Sequence, residues 1–223
     1  MSLEHTHPRA RLQRARRLAA GLVIAALMLV AAPAQPLATE TLSEPQRVIQ
    51  TLSERLTRVL REDRSLLRND PAYVHRLVDE YFLPHVDFNR VSAMVLGPHW
   101  RQASQSQRAK FREAFKGLLI HTYASALNEL SEWQIRFPPM RPSANERDLV
   151  VRTQVMRPGG EPIDVDYRMY QKDGRWLAYD VSVAGISLLS AYRSTFTQMA
   201  REKGLDGLIA ELETRNASRR QPS

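Results

Sequence analysis

The chain has 223 residues and no cysteine, so it makes one domain or at most two and uses neither disulfides nor a lipid-anchored cysteine. Its formal charge is +8, but residues 1–34, with five Arg and one Glu, carry +4 of it. The remainder is only mildly basic, which removes most of the support for a nucleic-acid-binding role and still suits an anionic membrane surface or an acidic partner.

The first residues read as an address. Arg9, Arg11, Arg14, Arg16 and Arg17 form a basic region, Leu18 to Ala32 is apolar apart from Gly21, and Ala32-Pro33-Ala34 supplies small residues at a cleavage position. That is the anatomy of a signal peptide over 1–34, and the apolar run falls short of the ~20 residues that span a bilayer. Arg16-Arg17 leaves the twin-arginine route open beside the general one. The expected mature protein is a single domain over 35–215 with a polar, flexible tail over 216–223. Such a domain buries roughly 70% of its unfolded surface, enough for a core without staples.

Ser43-Glu44-Pro45-Gln46 predicts a capped helix to about Arg64, with Val48, Leu52, Leu56 and Val59 on its apolar stripe. Asp70-Pro71 opens a second, carrying Val74, Leu77, Val78 and Tyr81 and limited by Pro84. Asp87 caps a third through Val95, broken by Gly97-Pro98. Ser104 to Gln107 opens a long helix to about Leu130. Its wide apolar face holds Phe111, Phe115, Leu118, Leu119, Tyr123, Ala126, Leu127 and Leu130, opposite Arg108, Arg112 and Lys116. Trp133–Phe137 alternates as a first strand.

Three further strands follow: Leu149–Met156, Ile163–Gln171 and Arg175–Val183. In the middle one Ile163, Val165, Tyr167 and Met169 share one face, and Asp164, Asp166, Arg168 and Tyr170 share the other. Two registers compete at Lys172-Asp173-Gly174. A two-residue Asp-Gly turn pairs Lys172 with Arg175 and sets Ser182 opposite Val165. A three-residue loop with Gly174 in a bulge pairs Gln171 with Arg175, Tyr179 with Tyr167, Val181 with Val165 and Val183 with Ile163. The hydrophobic pattern favours the second, which makes a continuous apolar wall. Ser187 caps a last helix through Lys203, Gly204 breaks it, and Leu205–Arg215 continues. Helices, sheet, then helices predict an α+β fold with helices over a curved antiparallel sheet of about four strands.

Catalytic signatures are weak. The chosen register sets Asp166 opposite Asp180, but Asp164, Asp166 and Asp180 lie beside Arg168 and read more simply as a cross-strand ionic lattice. His75, His85, His99 and His121 show no metal-ligand spacing. Gly185-Ile186-Ser187-Leu188-Leu189 lacks the second glycine of a nucleophile elbow. What remains is apolar surface: Phe88, Val91, Met94, Val95, Leu96, Trp100, the long helix and the sheet wall. Periodicity alone leaves a filled core and a ligand cavity equally open.

Three runs shift that balance toward the cavity. Tyr81-Phe82-Leu83-Pro84-His85-Val86-Asp87-Phe88-Asn89-Arg90 leads to Val95-Leu96-Gly97-Pro98-His99-Trp100. Gln107-Arg108-Ala109-Lys110-Phe111 leads to Leu118-Leu119-Ile120-His121-Thr122-Tyr123. Trp176-Leu177-Ala178-Tyr179-Asp180-Val181 leads to Gly185-Ile186-Ser187-Leu188 and Tyr192-Arg193-Ser194-Thr195-Phe196. In this order they resemble the MlaC/toluene-tolerance family of periplasmic phospholipid-binding proteins, departing at Pro84 and at Ala184, where an acidic residue is common. The resemblance implies a nuclear-transport-factor-like α+β fold with an internal apolar cavity, a periplasmic location, and a monomer that is no enzyme. It needs no cofactor and carries glycerophospholipid as cargo. Its implied partners are phospholipid, an inner-membrane MCE-domain protein of an ABC transporter and an outer-membrane lipoprotein complex, with no nucleic acid.

On that reading the acyl chains contact Phe88, Met94, Leu96 and Trp100, then Phe115, Leu119 and Tyr123 of the long helix. Across from them stand Val151, Ile163, Val165, Tyr167, Val181 and Val183 of the sheet and Tyr192 of the last helix, with Arg90 and Arg193 near the head group. The rivals are a cone-shaped α+β enzyme using a carboxylate and a tyrosine, such as Asp166 with Tyr179, and an interaction module with a filled core.

Overall fold

The computed structural model describes residues 42–218 except 64, 67–69, 131, 132 and 144, with backbone alone for 71 and 124–130. The signal-peptide reading therefore lies outside the described residues, as do the side chains of Ala126, Leu127 and Leu130. Helix α1 spans Glu44–Glu62. Gln46 Oε1 accepts both the backbone N–H and the hydroxyl of Ser43, each at 2.9 Å, closing the first turn. Helix α2 is Pro71–Leu77, with Asp70 Oδ1 accepting the Tyr73 N–H at 3.1 Å. A π-turn over Val78–Phe82 and a 3-10 turn over Leu83–His85 follow, a wider winding than the expected simple stop at Pro84.

Helices α3 (Phe88–Leu96), α4 (Pro98–Gln102) and α5 (Gln105–Leu130) come next. Gly97, between α3 and α4, has φ +55°, a conformation that a side chain strains. Strands β1 (Gln134–Arg136), β2 (Asp148–Met156), β3 (Ile163–Lys172), β4 (Arg175–Val183) and β5 (Ile186–Ser187) form one antiparallel sheet in chain order. β5 is one strand more than expected. Helix α6 runs Leu188–Ser218 with a kink at Gly204. It passes the predicted boundary at 215: Asn216 is helical, 5% exposed, and its amide donates to the Ala114 carbonyl at 2.8 Å. Residues 219–223 lie outside the described set.

Neither predicted register is right as it stood. The turn is the two-residue one: Lys172 pairs with Arg175, and Asp173 (φ 51°) and Gly174 (φ 74°) make the left-handed pair of a type I′ turn. Beyond it a bulge intervenes. Met169 pairs with Ala178 and Arg168 with Asp180, so Tyr179 is the extra residue. Tyr167 then meets Val181 and Val165 meets Val183. Turn chemistry decides the near end, and the bulge restores the apolar wall at the far end. The predicted pairs Tyr179–Tyr167, Val181–Val165 and Val183–Ile163 are each displaced. Asp166 faces Ser182 and Arg152, not Asp180, and Asp180 faces Arg168.

Two apolar clusters result. One lies among the helices, from Val95 and Leu96 of α3 through Phe111, Phe115 and Leu118 of α5 to Phe196, Leu208 and Leu212 of α6. The other lies under the sheet, where Ile49 of α1 meets Leu149, Val151, Met169, Trp176 and Ala178.

Candidate functional site

Between the clusters, at the edge of β4, lies a cavity of about 130 Å³. β5 pairs only with Ser182 and Val183, so the β4 edge from Tyr179 to Val181 has no strand beside it. The chain before α3 closes one end. Val86 bridges Ala178 in parallel, and the Asp87 N–H donates to the Ala178 carbonyl at 3.0 Å. Helix α3 then contributes Phe88 and Val91, α5 contributes Phe115 and Leu119, and α6 contributes Leu188, Leu189 and Tyr192. Residues Ala178 to Val181 complete the lining.

The walls are aromatic and aliphatic. Phe115 stacks on Phe88 with ring centroids 5.6 Å apart and meets Tyr192 edge-on at 5.2 Å. Asp180 is the only carboxylate in the lining and is 8% exposed. It accepts the Ser187 hydroxyl at 2.7 Å and the Leu189 N–H at 3.1 Å, so the start of α6 satisfies it. Ser187 Oγ in turn accepts the Ser190 N–H at 3.1 Å, the expected cap. The lining therefore offers apolar surface and no free acid–base pair.

A polar clamp holds α3 against the sheet beside this cavity. The Arg90 guanidinium lies between Tyr170 and Tyr179, 4.0 Å from each ring centroid, with a nitrogen 3.7 Å from Asp148. The Tyr179 hydroxyl donates to Asp148 at 2.7 Å. Asp87, at the N-cap of α3, accepts the Arg90 N–H at 2.9 Å, the Lys172 ammonium at 3.3 Å and the Tyr170 hydroxyl. Burial alone would raise the Asp87 pKa; these donors outweigh it and hold the group below its usual 3.8. Burial, then the hydrogen bond to Asp148, raises that of Tyr179, and burial pushes Tyr167 up to about 12.

Of the residues expected at the tails, Phe88, Phe115, Leu119, Val181 and Tyr192 meet in this cavity. Leu96 is buried in the helical cluster, with Met94 and Trp100 packed against it. Val151 is buried under the sheet and Tyr167 packs there too, while Val165 is buried and Ile163 half-buried on the same apolar face. Tyr123 and Val183 are at the surface, 39% and 38% exposed. Arg90 is engaged by the clamp, and Arg193 is exposed, its side chain lying over Gly97. Asp166 and Tyr179 are not brought together, since Asp166 pairs three positions farther along β4.

The list of expected tail contacts missed Val86, Val91, Ala178, Tyr179, Asp180, Leu188 and Leu189. For Leu188 and Leu189 the signal was the run from Val181 to Tyr192, twelve residues without a charge. Among the described residues no group of three or more His, Asp or Glu stands ready to hold a metal, and no helix is long and apolar enough to cross a membrane.

Comparison with known proteins gives a consistent picture. The profile of the MlaC protein family matches residues 50–214. The intermembrane phospholipid transport system binding protein MlaC of Haemophilus influenzae is 26% identical over 174 residues, 77% of this chain and 81% of the relative. The toluene tolerance protein ttg2D of Pseudomonas putida is 26% identical over 180 residues, 80% and 83% of the two chains. Among solved structures, a phospholipid-binding protein from Ralstonia solanacearum in complex with a phospholipid superposes with a TM-score of 0.74. It is 30% identical, and the match covers 80% of this chain and all of the other.

Proposed function

The chain belongs to the MlaC family, and from that premise we propose that it is a periplasmic phospholipid carrier, moving lipid between the outer membrane and an inner-membrane ABC transporter. Family members are phospholipid-binding transport proteins, and the chain is not an enzyme. The observation that carries the proposal is the apolar cavity at the β4 edge, in a fold shared with a relative solved around a phospholipid. Baring two acyl chains of roughly thirty methylenes to water costs on the order of 20 kcal/mol, so a carrier sheathes both chains and leaves the head group wet. At about 130 Å³ the cavity is smaller than the ~300–1,000 Å³ of ordinary ligand sites, and taking up a lipid requires it to widen.

Phe88, Phe115, Leu119, Val181 and Tyr192 then meet the tails first, with Tyr167, Val165 and Ile163 reached as the helices part from the sheet. The implied partners are an MCE-domain protein of the inner-membrane transporter and an outer-membrane lipoprotein complex, and the carrier works as a monomer. The resulting traffic maintains the lipid asymmetry of the outer membrane.

The test is organic extraction and mass spectrometry of protein purified without added lipid, on wild type and Val181→Arg. Wild type carries glycerophospholipid. The variant stays folded by circular dichroism, because the long Arg stem lies in the cavity with its head toward the mouth, and it loses the lipid. A folded variant with wild-type lipid rules out this wall. An unfolded one points to a filled core, where an unpaired charge costs several kcal/mol.

A further inference from the structure

The cavity lining leads outward to a feature that the carrier reading leaves unexplained. Val181 lines the cavity on one strand and Leu188 and Leu189 line it just after the next. The chain between them is the β4–β5 hairpin, Val183-Ala184-Gly185-Ile186. Ala184 (φ 49°) and Gly185 (φ 80°) form its tight left-handed turn. Val183 pairs with Ile186, so their side chains share a face, and Val165 flanks Val183 on the other side. Alternation places Val181 on that same face. The result is an apolar track that runs from Val181 in the cavity, over Val183, to Ile186 at the tip. Ile186 is 66% exposed and Val183 38%.

We propose that this hairpin is the point at which the protein enters a lipid bilayer, and that acyl chains pass along the track into the cavity. The inference rests on the carrier reading and adds where the membrane is met. Three observations favour lipid over a protein surface. The hairpin is continuous with the lipid-binding wall. It sits at the start of the uncharged run from Val181 to Tyr192, in a chain with 25% charged residues. Its tip offers a single large apolar side chain, Ile186, with Val183 exposed behind it, too little for a stable protein interface. The Val183–Ile186 pairing and the hydrogen bond from the Ala184 N–H to the Asp164 carbonyl, at 2.9 Å, satisfy backbone groups at the root, which a membrane interface demands.

The chain has no cysteine, so Ile186→Cys takes one fluorophore at the tip. An environment-sensitive label there shifts to the blue when vesicles of phosphatidylethanolamine and phosphatidylglycerol are added. Delipidated Ile186→Ser takes up lipid from the same vesicles about tenfold more slowly than wild type, the loss of one inserted side chain. Its melting temperature and co-purified lipid match wild type, because Ile186 lies outside the cavity. An unresponsive label, a response only when a protein partner is added, or uptake by Ile186→Ser at the wild-type rate overturns the inference. Wild-type protein that carries no lipid overturns the carrier reading instead, and the label's response to vesicles is read independently of it.

Discussion

The helical cluster and the seam between α3 and the sheet are held in different ways. In the cluster Phe88, Phe115, Phe111 and Phe196 form a continuous aromatic chain, with centroid separations of 5.6, 5.6 and 5.8 Å. Phe111, Phe115 and Phe196 are buried, and the partly buried Phe88 packs against them. At the seam a single β-bridge, one caged arginine and a shared carboxylate do the holding, and the cavity lies beside them. Packing energy is nearly indifferent to direction, whereas a clamp of charge-assisted hydrogen bonds is strong in one geometry and weak in others. A layer that must part from its neighbour to admit lipid is better held by the second kind of contact.

The largest expected effect separates two neighbouring rings. Phe111→Ala removes a fully buried ring away from the cavity and costs about 3–5 kcal/mol, equally in lipid-loaded and delipidated protein. Phe115 is as buried but also lines the cavity, so Phe115→Ala costs a similar amount when delipidated and distinctly less with lipid filling the space. Urea unfolding of both variants in both states checks this. Equal lipid dependence for the two would erase the distinction between cluster and seam.

An intermediate effect is expected at Arg90. Arg90→Met keeps the stem and removes the charge from between Tyr170 and Tyr179, costing about 1–2 kcal/mol. A seam held by the clamp also loosens, so the variant exchanges bound lipid with vesicles faster than wild type. A stability loss without any change in exchange rate would make Arg90 an ordinary structural residue.

The same contrast explains what the sequence disclosed. Helix starts are local, and Ser43, Asp70, Asp87, Ser104 and Ser187 were readable as caps because each acts within three residues of itself. The apolar face of β3, and that of α5 from Phe111 to Leu119, were readable from their periods. The register of β4 was not, because two correct local rules, the Asp-Gly turn and the apolar wall, conflict unless a bulge reconciles them. No pattern marked Tyr179 as the residue to be extruded. The clamp was invisible for the same reason: Asp87, Arg90, Asp148, Tyr170 and Tyr179 come from three parts of the chain. Nothing near Arg90 in the sequence pointed to its contacts with the Tyr170 and Tyr179 rings and Asp148.

The smallest effect tests whether charge, beyond shape, holds the seam. Asp87→Asn keeps the oxygen that caps the Arg90 N–H, but puts an amide NH2 in place of the oxygen that accepts from Tyr170 and Lys172, and removes the charge seen by Lys172 and the start of α3. The native pKa of Asp87 lies below its usual 3.8, so folding favours the ionised form. A depressed carboxylate contributes stability that is fully present above its unfolded value and is lost as pH falls through the folded one. At pH 7 the variant is therefore less stable than wild type by about 1 kcal/mol or less. The gap closes as the pH is lowered through and below 3.8, because wild type then loses the same charge. Thermal midpoints of both proteins across that range read the difference directly. A gap that is constant with pH would mean that Asp87 acts at the seam by its shape and hydrogen bonds alone.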